Sequence, residues 1–184
     1  MKEIFDYVVH LNHNIPKETC DKIVESLSHD SFYKTSYEDH RGNSIDEGDL
    51  MHYESRTISN AQIIDPYIKK LLYRYALRNR NSLIPWGSLS WSEVTFLRYT
   101  KEQRFKKHVD HVSSIFDGER KGIPILTIIG WLNNNFEGGE FHLCDRKIDS
   151  KIGDVIMFPS NFLYPHEVTP ILSGVRYSWV TWVW

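Results

Sequence analysis

The sequence of 184 residues is poor in cysteine, with only Cys20 and Cys144, which lie far apart along the chain. A disulfide framework or a cysteine-based zinc site needs several cysteines at short spacing, so both are excluded. Long apolar runs are also lacking. No segment approaches the ~18 residues of a membrane-spanning helix, and the N-terminus has no apolar signal-peptide core. We therefore expect a soluble, cytoplasmic protein with no membrane partner.

The chain also lacks an excess of one charge sign. It has 22 Lys and Arg residues against 24 Asp and Glu residues, which gives a net charge of −2. This balance provides no general attraction to nucleic acid, so we do not expect a nucleic-acid partner. Aromatic residues, in contrast, are abundant at 14% and favour strands. The length fits a single domain, residues 1–184, with a core that needs no disulfide support.

Two amphipathic helices are predicted in the first part of the chain. The first follows Pro16 and has apolar residues at the i, i+3, i+4 and i+7 positions: Cys20, Ile23, Val24 and Leu27. The second includes Asp65-Pro66, has an apolar stripe from Ile64 to Tyr75, and ends in the polar run Arg78 to Ser82. The polar stretch Ser31 to Ser55 fits neither helix nor strand. It is either a flexible surface loop or a lid that covers a substrate.

From Leu89 onward, short runs of β-branched and aromatic residues alternate with turn residues. These runs predict strands at Leu89–Tyr99, Ile123–Leu132, Glu140–Leu143, Asp154–Phe158, Tyr164–Thr169 and Val175–Trp184. Helices followed by closely spaced strands indicate an α+β fold, with the strands in a double-sheet jelly roll, or double-stranded β-helix. Residues 1–82 would form the helical support with the possible lid, and residues 83–184 the jelly-roll core.

Three residues of this strand-rich part have the types and spacing of a metal site. His108 and Asp110 are two positions apart, so on a strand both side chains would point to the same face. His166, from a distant strand, would complete a set of two imidazoles and one carboxylate, which suits non-haem Fe(II) and leaves coordination positions open. Ten residues later, Arg176 is close enough to lie beside His166 on a neighbouring strand. Such an arginine, on a strand rich in Trp and Val, needs an anion as partner.

An alternative remains open at this point, because a His-x-Asp triplet alone is a weak signal in a chain with nine histidines. The protein could be a non-catalytic jelly-roll binding module. In that case His108 and His166 would be buried core histidines, or would hold a structural divalent metal.

Several segments around these residues resemble the Fe(II)/2-oxoglutarate-dependent dioxygenases, and within them the prolyl 4-hydroxylase-like group. The resemblance covers roughly residues 56 to 184. The matching segments are Arg56-Thr57, Phe96–Tyr99, His108–Asp110, Leu126–Asn133, Glu137–Phe141, Gly153–Pro159, Pro165–Val168 and Gly174–Ser178, with Trp182.

The resemblance implies a role for each candidate residue. His108, Asp110 and His166 would hold Fe(II), and Arg176 would bind the distal carboxylate of the co-substrate 2-oxoglutarate, so that these four are the predicted catalytic residues. Further predicted contacts of the co-substrate are Tyr99, Thr127, Trp131 and Ser178. At position 131 oxygen-sensing relatives have a tyrosine, whereas this chain has a tryptophan, which can donate but not accept a hydrogen bond. Dioxygen is the other co-substrate, and ascorbate is a further cofactor that the resemblance suggests.

The implied reaction is hydroxylation of an aliphatic C–H bond, with release of succinate and carbon dioxide. A peptidyl proline is the favoured substrate by analogy, and a free amino acid or another protein side chain is the alternative. A nucleic-acid demethylase is disfavoured because those relatives have a second arginine where this chain has Trp182. A halogenase is disfavoured because Asp110 fills the position that halogenases leave open for chloride.

Overall fold

The structure is a computed structural model that describes residues 3–34, 37–38, 44–45, 54–57, 61–79, 89–110 and 124–184. These residues form a short 3-10 helix at Ile4–Tyr7, two α-helices and fifteen strands. The helices are α1 (Lys17–Ser28) and α2 (Ala61–Arg78). The strands before position 100 are β1 (Val9–Leu11), β2 (Tyr33–Lys34), β3 (Tyr37–Glu38), β4 (Ser44–Ile45), β5 (Glu54–Thr57) and β6 (Thr95–Tyr99). The later strands are β7 (Phe105–His108), β8 (Leu126–Trp131), β9 (Phe136–Gly138), β10 (Phe141–Leu143), β11 (Arg146–Lys147), β12 (Val155–Pro159), β13 (His166–Val168), β14 (Ile171–Gly174) and β15 (Arg176–Val183).

The strands pair antiparallel in one large and one smaller sheet. The major sheet has the order β1-β12-β8-β15-β6-β5-β2, and the minor sheet has the order β11-β10-β13-β7. Two further pairs, β14-β9 and β3-β4, stand apart from these sheets. The predicted α+β fold with a jelly-roll core is thus confirmed.

The two faces of the major sheet are covered by different elements. On one face, α1 and α2 contribute buried side chains to a core shared with alternate residues of β6, β8, β12 and β15. On the other face, the remaining alternate residues of the same strands pack with side chains of the minor sheet. Strand β8 lies inside the sheet and is buried along its whole length, in agreement with a sequence that is apolar except for Thr127.

Both helices have the apolar stripes that the sequence predicts. In α1 the buried side chains are Cys20, Ile23 and Leu27, and Pro16 directly precedes the first helical residue. Helix α2 buries Ile64, Ile68, Leu71 and Tyr75. It begins at Ala61, before Asp65-Pro66, so the proline lies inside the helix. Among the helices that the structure describes, neither is long and apolar enough to cross a bilayer.

A glycine allows the closest contact between the two central strands. Gly130 of β8 lies opposite Trp179 of β15, and a Cβ atom at Gly130 would come within 2.1 Å of the indole Nε1. Trp179 is completely buried and belongs to the core beneath the helices. Any larger residue at position 130 would therefore displace the tryptophan and disturb the sheet on which Arg176 lies.

The first part of the chain contributes more to the sheets than the sequence indicates. The major sheet includes β1, β2 and β5, all from residues 1–82, where only helices and a loop were predicted. Strand β5 contains Arg56-Thr57 and pairs with β6. Most of the predicted lid, Ser31 to Ser55, lies outside the described residues, so that its role stays a prediction.

Candidate metal and anion site

The two histidines of the predicted metal site lie directly opposite each other on neighbouring strands. His108 is the last residue of β7, and the antiparallel register pairs it with His166, the first residue of β13. Their ring centroids are 4.2 Å apart. A directly opposed pair has its side chains on the same face of the sheet, so both imidazoles point into the space between the two sheets.

Asp110 completes the cluster from the segment that follows β7. The strand ends at His108, so the carboxylate is not presented by a regular strand, as the sequence suggested, but it still lies on the same side. Its Oδ1 is 3.7 Å from Nε2 of His108 and 3.7 Å from Nε2 of His166. One donor atom from each of the three residues lies within 4.8 Å of the others. Two imidazole nitrogens and one carboxylate oxygen fit Fe(II) and leave coordination positions open.

Hydrogen bonds on the far side of each ring orient the imidazoles. Nδ1 of His108 lies 2.8 Å from the carbonyl oxygen of Lys106, and Nδ1 of His166 lies 3.1 Å from that of Tyr164. A carbonyl accepts only, so each Nδ1 carries the proton and donates it. The lone pair is then on Nε2, directed at the cluster, which is the tautomer that a metal ligand requires.

The surroundings of His108 keep its ring uncharged at neutral pH. Burial lowers the pKa of His108 to about 4, and the neighbouring His166 contributes to the decrease, while Asp110 opposes it. Phe105 stacks on His108 with ring centroids 3.6 Å apart. Phe158 meets His166 edge-on at 5.1 Å. A neutral imidazole such as that of His108 can bind a cation without first losing a proton.

Arg176, the first residue of β15, is buried without a carboxylate partner. Its side chain is 1% exposed, and its Nη1 donates a hydrogen bond of 2.8 Å to Oγ of Ser178. The guanidinium carbon lies 5.0 Å from the ring centre of Tyr99, the residue opposite it on β6. Nε has no hydrogen-bond partner, and no acidic side chain of the described residues forms an ion pair with the group. Burial lowers the pKa of Arg176, yet a guanidinium stays charged. Among the described residues, no acidic side chain is in direct contact with this positive charge.

The metal cluster and Arg176 line the same cavity. The space, counted together with the open volume at its mouth, is about 470 Å³. Its polar lining is His108, Asp110, His166, Arg176, Ser178 and Tyr99. The remaining described lining is apolar: Leu97, Phe105, Ile129, Phe141, Val168, Val180 and Trp182. One cavity thus contains both a candidate cation site and a candidate anion site between apolar walls.

Two of the predicted co-substrate contacts lie elsewhere. Tyr99 and Ser178 line the cavity and touch Arg176, but Thr127 and Trp131 do not line it. The Thr127 hydroxyl donates a hydrogen bond of 2.5 Å to Oδ2 of Asp110. Trp131 is 2% exposed and packs edge-on against Phe141.

The predicted placement of Arg176 beside His166 on a neighbouring strand is wrong. His166 lies in the minor sheet and Arg176 in the major sheet, and β14 lies between them along the chain. In this jelly roll the chain crosses from one sheet to the other within these ten residues. The two side chains therefore reach the cavity from opposite walls.

Two residues that support the site were not identified from the sequence. Ser160 directly follows β12 and lies 2.6 Å from the Thr127 hydroxyl, whereas the sequence indicated only a turn there. Its position two residues after Phe158, a residue of the core that faces the minor sheet, could have indicated its direction. Gly139, with a φ of +59°, leaves room for Ile171 and for the Arg176 stem, because a Cβ there would lie 2.3 Å from Cδ1 of Ile171 and 3.1 Å from Cδ of Arg176.

Known proteins resemble the chain in both sequence and fold. Residues 94–184, which hold all four predicted catalytic residues, match the family model described as the 2OG-Fe(II) oxygenase superfamily. A PKHD-type hydroxylase of Idiomarina loihiensis is 31% identical over 96 residues, which are 50% of this chain and 42% of that protein. A PKHD-type hydroxylase of Shewanella oneidensis is 32% identical over 93 residues, 48% of this chain and 41% of that protein. The chain thus spans less than half the length of these relatives.

Solved structures share the fold at low sequence identity. A viral collagen prolyl hydroxylase from Paramecium bursaria Chlorella virus-1, in its 2OG complex, superposes with a TM-score of 0.69 at 17% identity, covering 96% of this chain and 95% of that one. A prolyl hydroxylase from Trichoplax adhaerens, in complex with a peptide fragment of hypoxia inducible factor, gives a TM-score of 0.73 at 18% identity, covering 97% and 84%. By the match of residues 94–184 the chain belongs to the 2OG-Fe(II) oxygenase superfamily, and it shares its fold with these prolyl hydroxylases.

Proposed function

We propose that the protein is an Fe(II)- and 2-oxoglutarate-dependent dioxygenase that hydroxylates an aliphatic C–H bond of a peptide. A prolyl residue is the favoured target. The observation that carries the proposal is the buried Arg176, which has no ion-pair partner among the described residues, in the same cavity as the cluster of His108, Asp110 and His166. A metal site alone would fit a structural role, and a buried arginine alone would fit many ligands. Together they match a co-substrate that chelates a metal at one end and has a carboxylate at the other.

The three ligands supply what Fe(II) needs from the protein. Both Nε2 atoms have a free lone pair because the Nδ1 protons are bound to the carbonyl groups of Lys106 and Tyr164. Asp110 provides one negative charge, so that a divalent ion keeps a net positive charge and can attract an anionic co-substrate. Bound Fe(II) would supply the oxygen chemistry, in which 2-oxoglutarate is converted to succinate and carbon dioxide while the substrate C–H bond gains an oxygen atom.

Arg176 would bind the distal carboxylate of 2-oxoglutarate. Its guanidinium is desolvated and fixed by Ser178 and Tyr99, so that little side-chain freedom is lost when an anion binds. An arginine can donate two parallel hydrogen bonds to a carboxylate, and its Nε is free for one of them. The apolar neighbours Leu97, Ile129 and Val180 strengthen this ion pair by excluding water.

The lining of the cavity favours a peptide over a free amino acid as substrate. Apart from the metal cluster and Arg176, the described lining has no charged side chain. A free amino acid would bring an ammonium group and a carboxylate into this apolar space without partners, which is costly. A residue within a peptide has neutral amides instead. The prolyl hydroxylase neighbours, one of them with a bound peptide fragment, support the same choice.

A spectroscopic experiment tests the co-substrate site directly. Under anaerobic conditions, Fe(II) and 2-oxoglutarate together should give the weak visible charge-transfer absorption that arises only when both are chelated to each other. Asp110→Ala should lose this absorption. His142→Ala is a matched control, because His142 lies on β10 of the same sheet between Glu140 and Glu167 and does not line the cavity. Absence of the band in the unsubstituted protein would contradict the proposal.

A turnover experiment then identifies the substrate. The protein is incubated with Fe(II), 2-oxoglutarate and dioxygen, with and without ascorbate, and with either proline-containing peptides or free proline. Succinate formation is measured together with the mass gain of one oxygen atom. We expect coupled hydroxylation of a peptide. Hydroxylation of free proline alone would replace the peptide substrate with the free amino acid and leave the reaction class intact.

A further inference from the structure

The second carboxylate oxygen of Asp110 accepts a hydrogen bond from a buried hydroxyl group, which is in turn hydrogen-bonded to a second buried hydroxyl group. Thr127 Oγ1 donates to Oδ2 of Asp110 at 2.5 Å, and Ser160 Oγ lies 2.6 Å from Thr127 Oγ1. Thr127 is fully buried and Ser160 is 2% exposed. The two hydroxyl groups are therefore shielded from bulk water, whereas Asp110 borders the cavity. The series therefore ends at the carboxylate that faces the two imidazoles.

The direction of the protons in this series follows from the acceptor at its end. An ionised carboxylate can only accept hydrogen bonds, so Thr127 must donate its single hydroxyl proton to Asp110. Thr127 Oγ1 must then accept from Ser160, whose proton points along the series toward Asp110. Both hydroxyl dipoles are aligned toward the carboxylate, and hydrogen bonds in such a chain strengthen one another.

The strands fix the positions of both hydroxyl groups. Thr127 lies on β8, the central strand, between its partners on β12 and β15. Ser160 directly follows β12, where Phe158 is paired with Thr127. Asp110, in contrast, lies beyond the end of β7, where no ladder of strand hydrogen bonds holds it. The rigid major sheet thus provides an anchor for the ligand with the least support from its own backbone.

We propose that Thr127 is a positioning residue for Asp110, and that Ser160 acts through it. The pair binds Oδ2 and so directs Oδ1, the oxygen 3.7 Å from each Nε2, at the metal position as a single donor. This inference rests on the proposed metal site. It assigns to Thr127 a role at the metal ligand in place of the predicted contact with 2-oxoglutarate.

Removal of the Thr127 hydroxyl should weaken metal binding without a direct effect on Arg176. In Thr127→Val the shape is kept and the donor to Oδ2 is lost, so that the carboxylate can rotate away from its position. Loss of an outer partner of a metal ligand typically costs about 10- to 100-fold in metal affinity. We expect a weakening of this size for Mn(II), a stable substitute for Fe(II), in the absence of 2-oxoglutarate.

The conservative and second-site variants separate positioning from packing. Thr127→Ser keeps the hydroxyl and loses only a methyl group, so it should recover most of the Mn(II) affinity even if the protein is less stable. Ser160→Ala should weaken Mn(II) binding less than Thr127→Val. Added to Thr127→Val, it should have no further effect, because Ser160 acts only through the threonine hydroxyl.

The chain contains a matched control pair. Thr181 on β15 is also fully buried, and its hydroxyl donates to the carbonyl oxygen of Ser92 at 2.8 Å and lies 3.0 Å from the Ser92 hydroxyl. The Thr181 side chain lies on one face of the major sheet, and the neighbouring Trp182, which lines the cavity, lies on the other face. Thr181→Val and Ser92→Ala should each lower the free energy of unfolding, because each removes a hydrogen bond of this Thr–Ser pair. They should leave Mn(II) affinity unchanged.

The experiment is a titration of each full-length variant with Mn(II), in which the free ion is followed by its electron paramagnetic resonance signal. Weak binding by Thr127→Val, recovery in Thr127→Ser and unchanged binding in the Thr181 control support the proposal. Wild-type affinity in folded Thr127→Val overturns it. If Thr127→Val does not fold, Ser160→Ala decides, and affinity equal to that of Ser92→Ala overturns the proposal. If the unsubstituted protein binds no Mn(II), the proposed metal site itself is wrong and this role falls with it.

Discussion

Replacement of Arg176 by methionine should separate co-substrate binding from both metal binding and folding. Methionine fills a similar elongated space but has no charge. The carboxylate of 2-oxoglutarate would then be buried without its partner, at a cost of roughly 2–5 kcal/mol. At about 1.4 kcal/mol for each factor of ten, this corresponds to a dissociation constant raised about 30-fold to several thousand-fold. Affinity for Mn(II) alone should change little.

The same variant should fold at least as well as the original protein in the absence of 2-oxoglutarate. The guanidinium is 1% exposed and has no carboxylate partner among the described residues, so its charge opposes folding. Urea unfolding without ligand should give an equal or higher free energy of unfolding for Arg176→Met. Addition of 2-oxoglutarate with Mn(II) should stabilise the original protein and not the variant.

The matched control is Arg98→Met. Arg98 lies on β6 next to Tyr99, but it stacks on Phe32 at 4.5 Å on the other face of the sheet. The assay is an anaerobic titration of the Fe(II) protein with 2-oxoglutarate, followed by the visible charge-transfer absorption. Unaltered affinity in Arg176→Met would refute the assignment and point to another cation as the anchor of the distal carboxylate. Lowered unfolding free energy without ligand would refute the view that the arginine is uncompensated.

Three further outcomes are expected. Alanine at His108, Asp110 or His166 should each abolish 2-oxoglutarate-dependent succinate formation while circular dichroism shows an unchanged fold, and full activity in any one would exclude that ligand. The pKa of His108 is lowered by burial to about 4. Below about pH 6.5, the usual pKa of histidine, this imidazole takes up a proton in the unfolded chain before it does so in the folded protein. The free energy of unfolding of the metal-free protein should therefore fall by up to about 3 kcal/mol between pH 6.5 and 4. Urea unfolding should show a smaller decrease in His108→Ala. Gly139→Ala, which forces a side chain onto a positive φ and against the Arg176 stem, should destabilise the protein by about 1–3 kcal/mol and raise the 2-oxoglutarate requirement in the same titration.

The clustering of His108, Asp110 and His166 could be predicted because their residue types and spacing are restrictive. His108 and Asp110 are close in sequence, and the approach of His166 requires only that two strands pair in register. The apolar stripes of α1 and α2 were equally clear, since a helix repeats its pattern over several turns. In these cases the spacing of residues along the chain is enough to predict which side chains lie on the same face.

Features that depend on pairing between distant segments could not be predicted. Strands β1, β2 and β5 are two to four residues long, too short for an alternating pattern, and they are stabilised by their partners in the sheet. The position of Arg176 opposite His166 depends on how the chain crosses between sheets, which a count of ten residues does not reveal. Thr127 was expected to touch the co-substrate because it lies on the correct strand. Its partner was decided by the short segment after β7, which brings Asp110 within its reach.

The position of β7 at the end of the minor sheet has a kinetic consequence. Among the described strands, β7 pairs with β13 alone, and the two strands meet at the opposed histidines. A bound divalent ion would cross-link these two strands through His108 and His166. In the metal-free protein the edge strand can separate from β13 without disruption of the helix-covered core. Amide hydrogen exchange at residues 105–108 should therefore slow markedly when Mn(II) binds, while exchange in β8 stays slow in both states. Opening of this edge, rather than unfolding of the domain, would then limit how quickly the metal enters and leaves.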